Sequence, residues 1–309
     1  IKVVEVRAYS RYRFRVHGCG KVPTPPGSVE GGLVQDPVAV GKAIRQAVKA
    51  AGIKARKAAI AVHPQVAFLR TLSFPVMPAA EVRGVIELQP ERYIPNAGGE
   101  ETQFDFAILP HPPEAAQMSV VVAAAPRRVV ADLMKACRVA GLTPVSVDME
   151  PLALQRAVLA AQRDMPDDTV AVVDLGEGQA KISLFDQNVP VVSRVLAVGA
   201  GAGPAATGEA VGEATEDLFL DIRRSLEYGL SQSNRRLSRL FVTGGGAVDE
   251  YQALSLAGYI RGFMSYRLTP DFVVEALRHP FLDLSGEYML AFGLSIPQEL
   301  FYDSNQPAD

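Results

Sequence analysis

A chain of 309 residues is long enough for two domains that each bury a core, and its 48% apolar and 21% charged residues are the proportions of a soluble globular protein. The net charge of -3 provides no whole-chain field favouring nucleic acid. Cys19 and Cys137 alone make neither a disulfide framework nor a zinc ligand set, which fits a reduced, cytosolic setting; apolar runs such as Met118 to Pro126 are about half the length that spans a bilayer.

The chain opens at Ile1, without Met or a signal-peptide pattern and already inside an alternating strand, so residues upstream are expected. Ile1 to Ala8 and Tyr12 to Val22 read as a hairpin of two strands, because Val and aromatic residues alternate with charges. A Pro/Gly loop, Pro23 to Gly32, follows. Asp36 then caps a helix with Pro37 at its first position, an apolar stripe through Val38, Ala39, Ile44, Ala47 and Val48, and an end near Gly52. Residues 57–63, KAAIAVH, are a short buried strand.

From Pro64 to Pro151 the pattern is that of a separate compact unit. AFLRTLSFP is a strand, Ala79 to Tyr93 a helix stopped by Pro95, and TQFDFAIL and MSVVVAAAP a strand pair. Arg127 to Ala140 is a helix closed by Gly141, TPVSVDME another strand, and Leu152 to Gln162 a helix before a hinge at MPDD. Thr169 to Asp174, Ala180 to Phe185 and Val189 to Val198 then form strand, hairpin and strand. Ala180-Lys181-Ile182 aligns with Ile1-Lys2-Val3, a faint internal duplication in which the first copy lacks its leading strand and Gly turn. A long helix over Ala214 to Ser233 leads into LSRLFVTGGGA, a buried strand ending in three glycines. Helices at Val248 to Ala257 and Ser285 to Leu294 precede a polar tail.

Chemistry concentrates at two glycine turns. In VVDLGEGQAKISLFD, a buried strand runs into Asp174 and turns on Gly176 and Gly178, which lets backbone N–H groups approach an anion; a tight hairpin turn explains the same residues without a ligand. Gly244, Gly245 and Gly246, between an apolar strand and a helix, have the context that seats a nucleotide. Gly201, Gly203 and Ala206 have the spacing of a dinucleotide fingerprint, but Pro204 lies inside it and no apolar helix stripe follows. Arg223, Arg224 and Glu227 share the helix that feeds the triple-glycine strand. The four histidines, His17, His63, His111 and His279, are scattered without metal-ligand spacing.

The Asp-x-Gly hairpin, the two-Arg helix and the apolar strand ending in Gly-Gly-Gly resemble the actin-like ATPase superfamily. Within it, the stretch from Pro23 to Val62, ELQPERYIP with FDFAILP, and DIRRSLEYGLSQS resemble the PilM family of type IV pilus assembly proteins, itself similar to the division protein FtsA. The resemblance implies an α/β, actin-like two-lobed ATPase fold with an FtsA-type inserted subdomain. Residues 1–63 with the helix 152–163 would be the first subdomain and 64–151 the insertion. Residues 164–203 with 240–297 would be the third, 204–239 a reduced fourth, and 298–309 a flexible tail.

The resemblance also implies ATP and Mg as ligands. Asp174 would stand near a Mg-bound water, Gly176, Gly178 and Lys181 at the phosphates, Arg223 and Arg224 at the ribose or adenine, and Gly244, Gly245 and Gly246 at the adenosine. The family's first phosphate loop, an Asp-x-Gly-Ser turn before the strand matching Ile1 to Arg7, is absent from this sequence, and nucleotide affinity is expected to suffer. The implied role is a scaffold that binds the N-terminal cytoplasmic tail of PilN, with Arg92, Tyr93 and Ile94 as the candidate peptide groove, and links it to other inner-membrane pilus proteins and the motor. The location implied is cytoplasmic and peripheral to the inner membrane. Useful turnover is not expected, since no catalytic carboxylate can be nominated in the first lobe. A small-molecule kinase of the same superfamily and a GspL-like secretion protein are the rival readings.

Overall fold

The computed structural model describes residues 1–10, 12–95, 101–161, 169–176, 178–197, 210–245, 250–276 and 286–297. The chain divides into two units: Ile1–Val3 with Gly20–Glu150 and Gln298–Asp309, and Val4–Cys19 with Pro151–Pro297. The tail 298–309, the hinge at MPDD, the stretch 199–206 and Gly246 lie outside the described residues.

Strands β1 (Lys2–Ser10) and β2 (Arg13–Lys21) form the expected hairpin. In the Pro/Gly loop a small hairpin, β3 (Val29–Glu30) with β4 (Leu33–Val34), precedes helix α1 (Pro37–Ala50). Asp36 Oδ1 accepts from the Val38 and Ala39 N–H groups at 2.9 and 3.0 Å, filling two donors that the first turn leaves without partners. Past the other end, Gly52 takes φ +65°.

Strand β5 (Lys57–Val62) is followed by β6 (Phe68–Pro75), helix α2 (Ala79–Leu88), the single turn α3 (Pro90–Tyr93), β7 (Thr102–Ile108) and β8 (Gln117–Pro126). The one helix expected over Ala79 to Tyr93 is two. Pro90 offers no N–H and pushes Gln89 out of the helical region, to φ -139° and ψ 61°. The antiparallel sheet β6-β8-β7 buries Phe74, Met118, Val120 and Val122 against Val82 and Ile86 of α2.

Helix α4 (Arg127–Val139) packs closely on α1: a Cβ at Gly41 would lie 2.6 Å from Ala136 O. Arg45 of α1 donates to the Val139 and Ala140 carbonyls, satisfying the end of α4 with a cation. Strand β9 (Thr143–Met149) then pairs in parallel with β5.

The second unit takes most of α5 (Glu150–Ala161), whose residues are nearly all buried. Strands β10 (Thr169–Leu175), β11 (Gln179–Asp186) and β12 (Val189–Ala197) follow, with Gln187 and Asn188 both at positive φ in the two-residue turn between β11 and β12. Helix α6 (Ala210–Ser233) lies on β11 and β12, where a Cβ at Gly229 would sit 2.5 Å from Leu184 Cδ2.

Strand β13 (Leu237–Thr243) leads to α7 (Glu250–Met264), β14 (Leu268–Ala276) and α8 (Met289–Ser295). Two differences from the sequence reading fall here. Helix α7 continues past Ala257 through Gly258 and Gly262, because Ile260 and Met264 are fully buried and the packing outweighs two glycines. Strand β14 was not anticipated; it contains Pro270, and such a strand is tolerated at a sheet edge, where β14 lies.

The sheet order is β12-β11-β10-β13-β14. Strand β10 is antiparallel to β11 and parallel to β13, so chain order reverses between β10 and β13. In α/β sheets such a switch point opens a crevice at the carboxyl ends of the strands.

Helix α8 touches α5 backbone to backbone: Arg156, fully buried, donates from Nε to Gly293 O at 3.1 Å, and a Cβ at Gly293 would lie 1.8 Å from Ala153 O. Gly293→Ala should therefore lower the unfolding free energy by about 3 kcal/mol. Gly258→Ala, which meets open space in a helix, should raise it by about 0.5 kcal/mol. Urea denaturation of both variants checks the pair; equal effects would contradict the α5–α8 contact.

Candidate functional site

The site begins with the apolar run Val170–Val173 of β10, which is buried on both faces and carries the chain into Asp174 at the strand's carboxyl end. Across the hairpin, Asp174 is the register partner of Lys181, and Lys181 Nζ stands 3.6 Å from Asp174 Oδ2, with side-chain exposures of 18% and 15%. On its other side Asp174 is the register partner of Thr243, the last residue of β13. The hairpin turn closes with the Gly176 N–H donating to Gln179 O at 2.9 Å, so that donor is committed to the protein. Gly178 is different: a Cβ there would meet nothing within 4 Å, and its φ lies outside the left-handed range, so neither crowding nor strain requires glycine. What its glycine does provide is clear access to the backbone.

Gly244 is required by geometry. Its φ is +98°, and a Cβ would lie 2.3 Å from Leu175 O and 2.5 Å from Asp174 Oδ1. Beside it, the buried Thr243 hydroxyl donates to Gly286 O at 2.7 Å, and the Gly244 N–H reaches the same carbonyl at 3.5 Å. Asp174, Lys181, Thr243, Gly244 and Gly286 thus meet where the two central strands end. Thr243 and Gly286 were missed by the sequence reading. Thr243 could have been found as the polar residue between an apolar run and three glycines; Gly286 is 43 residues away and carries no local signal. Gly245 is described beside Gly244, and Gly246 is not.

The two arginines have other neighbours. Arg223, on α6, places its guanidinium 5.1 Å from the Phe263 ring of α7, and its Nε is buried without a hydrogen-bond partner, 4.0 Å from Glu227 Oε1. Arg224 is exposed and pairs with Asp221 at 3.5 Å.

In the first unit, Tyr93 stacks on Phe74 at 5.1 Å between ring centres, Arg92 is exposed with its guanidinium 5.7 Å from the Tyr93 ring, and Ile94 is 2% exposed in the core under the antiparallel sheet. Of the three, Arg92 and part of Tyr93 face solvent; Ile94 supports them from beneath. Among the described residues no cluster of three or more His, Cys, Asp or Glu could hold a metal, and no helix is long and apolar enough to cross a membrane.

The model of the family described as type IV pilus assembly protein PilM matches residues 1–203. The chain belongs to the PilM family. A solved structure, titled PilM-PilN type IV pilus biogenesis complex, contains a chain 25% identical to this one; the match covers 95% of this chain and 94% of that chain with a TM-score of 0.77. The α/β fold expected from the sequence is the fold of this chain, and it is shared nearly end to end with the chain of that complex. Two weaker likenesses carry no argument about function. One is to the ethanolamine utilization protein EutJ of Carboxydothermus hydrogenoformans (14% identity, 87% and 77% coverage, TM-score 0.49). The other is to a Bacteroides thetaiotaomicron protein with an actin-like ATPase fold and unknown function (10% identity, 96% of each chain, TM-score 0.43).

Gly244→Ala would force a side chain both into a left-handed backbone and against β10. It should lower the unfolding free energy by about 3 kcal/mol, measured by urea denaturation. A variant as stable as the parent would contradict the close approach of the two strand ends.

Proposed function

We propose that this PilM-family chain is a cytoplasmic scaffold of type IV pilus assembly, held at the inner membrane by binding the N-terminal tail of a PilN-type protein. The observation that carries this reading is the near end-to-end likeness to a chain of the PilM-PilN complex, over both units and not a single domain. The peptide surface in this reading is the turn at Arg92 and Tyr93 beside the antiparallel sheet. An exposed cation next to a half-buried aromatic ring suits an extended peptide, which binds through its backbone and drops side chains into pockets.

The second element of the proposal is a nucleotide at the ends of β10 and β13, acting as a conformational latch. The residues present fit one: a carboxylate, an ammonium group, glycine-lined backbone and a switch point in the sheet. Bound Mg-ATP would supply a polyanion and a hydrated divalent cation. Asp174 would hold the cation through water, as Mg keeps several waters and takes few protein ligands. Lys181 and the open Gly178 side of the turn would take the phosphates. Gly244 and Gly245 would line the adenosine side, and Arg223 and Arg224 would have to leave Phe263 and Asp221 to reach the ribose or adenine. Asp174 and Lys181, which now neutralise each other, would each gain a partner of opposite charge.

Asp174→Ala should weaken Mg-ATP binding by about tenfold and Mg-free ATP binding much less, because the carboxylate acts through the metal. Calorimetry with and without Mg decides it, and equal losses would remove Asp174 from this role.

For the peptide, Arg92→Glu should change the unfolding free energy by less than about 0.5 kcal/mol and weaken binding of a synthetic PilN N-terminal peptide by about fivefold. Undiminished binding by the folded variant would move the groove elsewhere.

A further inference from the structure

The hairpin β1–β2 carries a charge that the rest of the chain does not share. Residues 1–21 contain six Lys or Arg and one Glu, a net +5, so the remaining residues carry -8 within a chain of -3. Strand alternation sorts these side chains. Along β2, Arg13, Arg15, His17, Cys19 and Lys21 are exposed, while Phe14, Val16, Gly18 and Gly20 are turned toward the protein. Phe14 is 8% exposed and meets the Phe292 ring edge-on at 5.4 Å, which fixes the inner face. On β1, Arg7 and Tyr9 are exposed on the outer face with them. The Arg7 and Arg13 guanidiniums each lie 5.2 Å from the Tyr9 ring centre, and Tyr9 is 46% exposed. Glu5, the lone carboxylate of the segment, is half-buried. Among the described residues, Arg7, Arg13 and Arg15 have no ion-pair partner.

We propose that the outer face of this hairpin rests on an anionic phospholipid surface. Charge complementarity selects the occupant. A cationic face on a chain that is otherwise acidic is drawn to a negative plane through that face. The length agrees: two strands of nine residues present a face about 30 Å long, enough to set several side chains against a plane at once. Tyrosine held between arginines has the amphipathic character of residues at the headgroup level, with the ring entering the interface and the cations meeting phosphates. The inference rests on the inner-membrane placement proposed above and adds to it a direct lipid contact, separate from the peptide tether. A tether and a weak electrostatic contact reinforce one another, since the first raises the local concentration for the second.

The test uses vesicles alone, with no PilN peptide, so that the two proposals succeed or fail separately. The protein should co-sediment with phosphatidylcholine vesicles containing phosphatidylglycerol and not with pure phosphatidylcholine, and salt should release it. Each arginine replaced by glutamine should cost about fivefold in affinity, and Arg7→Gln, Arg13→Gln and Arg15→Gln together about a hundredfold, with little change in thermal midpoint because all three are exposed. A second readout comes from the same face. Cys19 is exposed and Cys137 is buried, and burial pushes the Cys137 thiol above its ordinary range against a smaller opposing effect of Arg138. An environment-sensitive dye attached through a thiol should therefore report from Cys19 and brighten on the anionic vesicles. Absence of sedimentation at low salt would overturn the proposal, as would binding that the triple variant retains. Binding of a random-sequence RNA duplex in place of vesicles would reassign the face to nucleic acid and overturn it equally.

Discussion

The second unit depends on one close approach. Gly244 lies so near β10 that any side chain would overlap the Leu175 carbonyl and the Asp174 carboxylate, and only a glycine at φ +98° can turn the chain there. That turn brings the ends of β10 and β13 together at the point where strand order reverses. Thr243 and Gly244 then share the Gly286 carbonyl, which ties the segment before α8 to the same place. α8 in turn approaches α5 so closely that Gly293 meets Ala153 backbone to backbone. Two glycine contacts thus connect the central strands, α8 and α5, and the candidate site lies at the first of them.

The order of elements supports the internal duplication seen faintly in the sequence. Hairpin β1–β2, α1, β5, α4 and β9 follow one another as hairpin β11–β12, α6, β13, α7 and β14 do, with the antiparallel unit β6-β8-β7 inserted after β5. In the second copy β13 is paired on both edges, by β10 and β14, and is buried along nearly its whole length. In the first, β5 pairs with β9 among the described residues and is only half-buried. Two short apolar strands at matching places in the element order thus differ in burial, because strand burial comes from neighbours and not from propensity alone.

Much of this was legible where the controlling interaction is local. Asp36 before Pro37 announces a helix start, and the structure has the two capping hydrogen bonds that explain why. Asp174 followed by a glycine turn marks the end of a buried strand, and its cross-strand Lys181 lies within one hairpin. Legibility failed where distant partners decide. The break at Pro90 was readable in principle and was overridden by a continuing apolar stripe. The burial of Ile94 under a sheet, the continuation of α7 through Gly258 and Gly262, and the Thr243 to Gly286 hydrogen bond all depend on what packs nearby. The arginines Arg223 and Arg224 show the same limit: adjacent in sequence, one stacks on Phe263 and the other meets solvent.

The proposed nucleotide would join the carboxyl ends of β10 and β13 into one ligand site. Amide hydrogen exchange in the presence and absence of Mg-ATP tests it most directly, because exchange reads local protection segment by segment. Exchange should slow at Asp174 to Gln179 and at Thr243 to Gly245 together, with the peptide surface at Arg92 and Tyr93 unaffected or changed less. Protection of one strand end without the other, or none at a saturating nucleotide concentration, would contradict it.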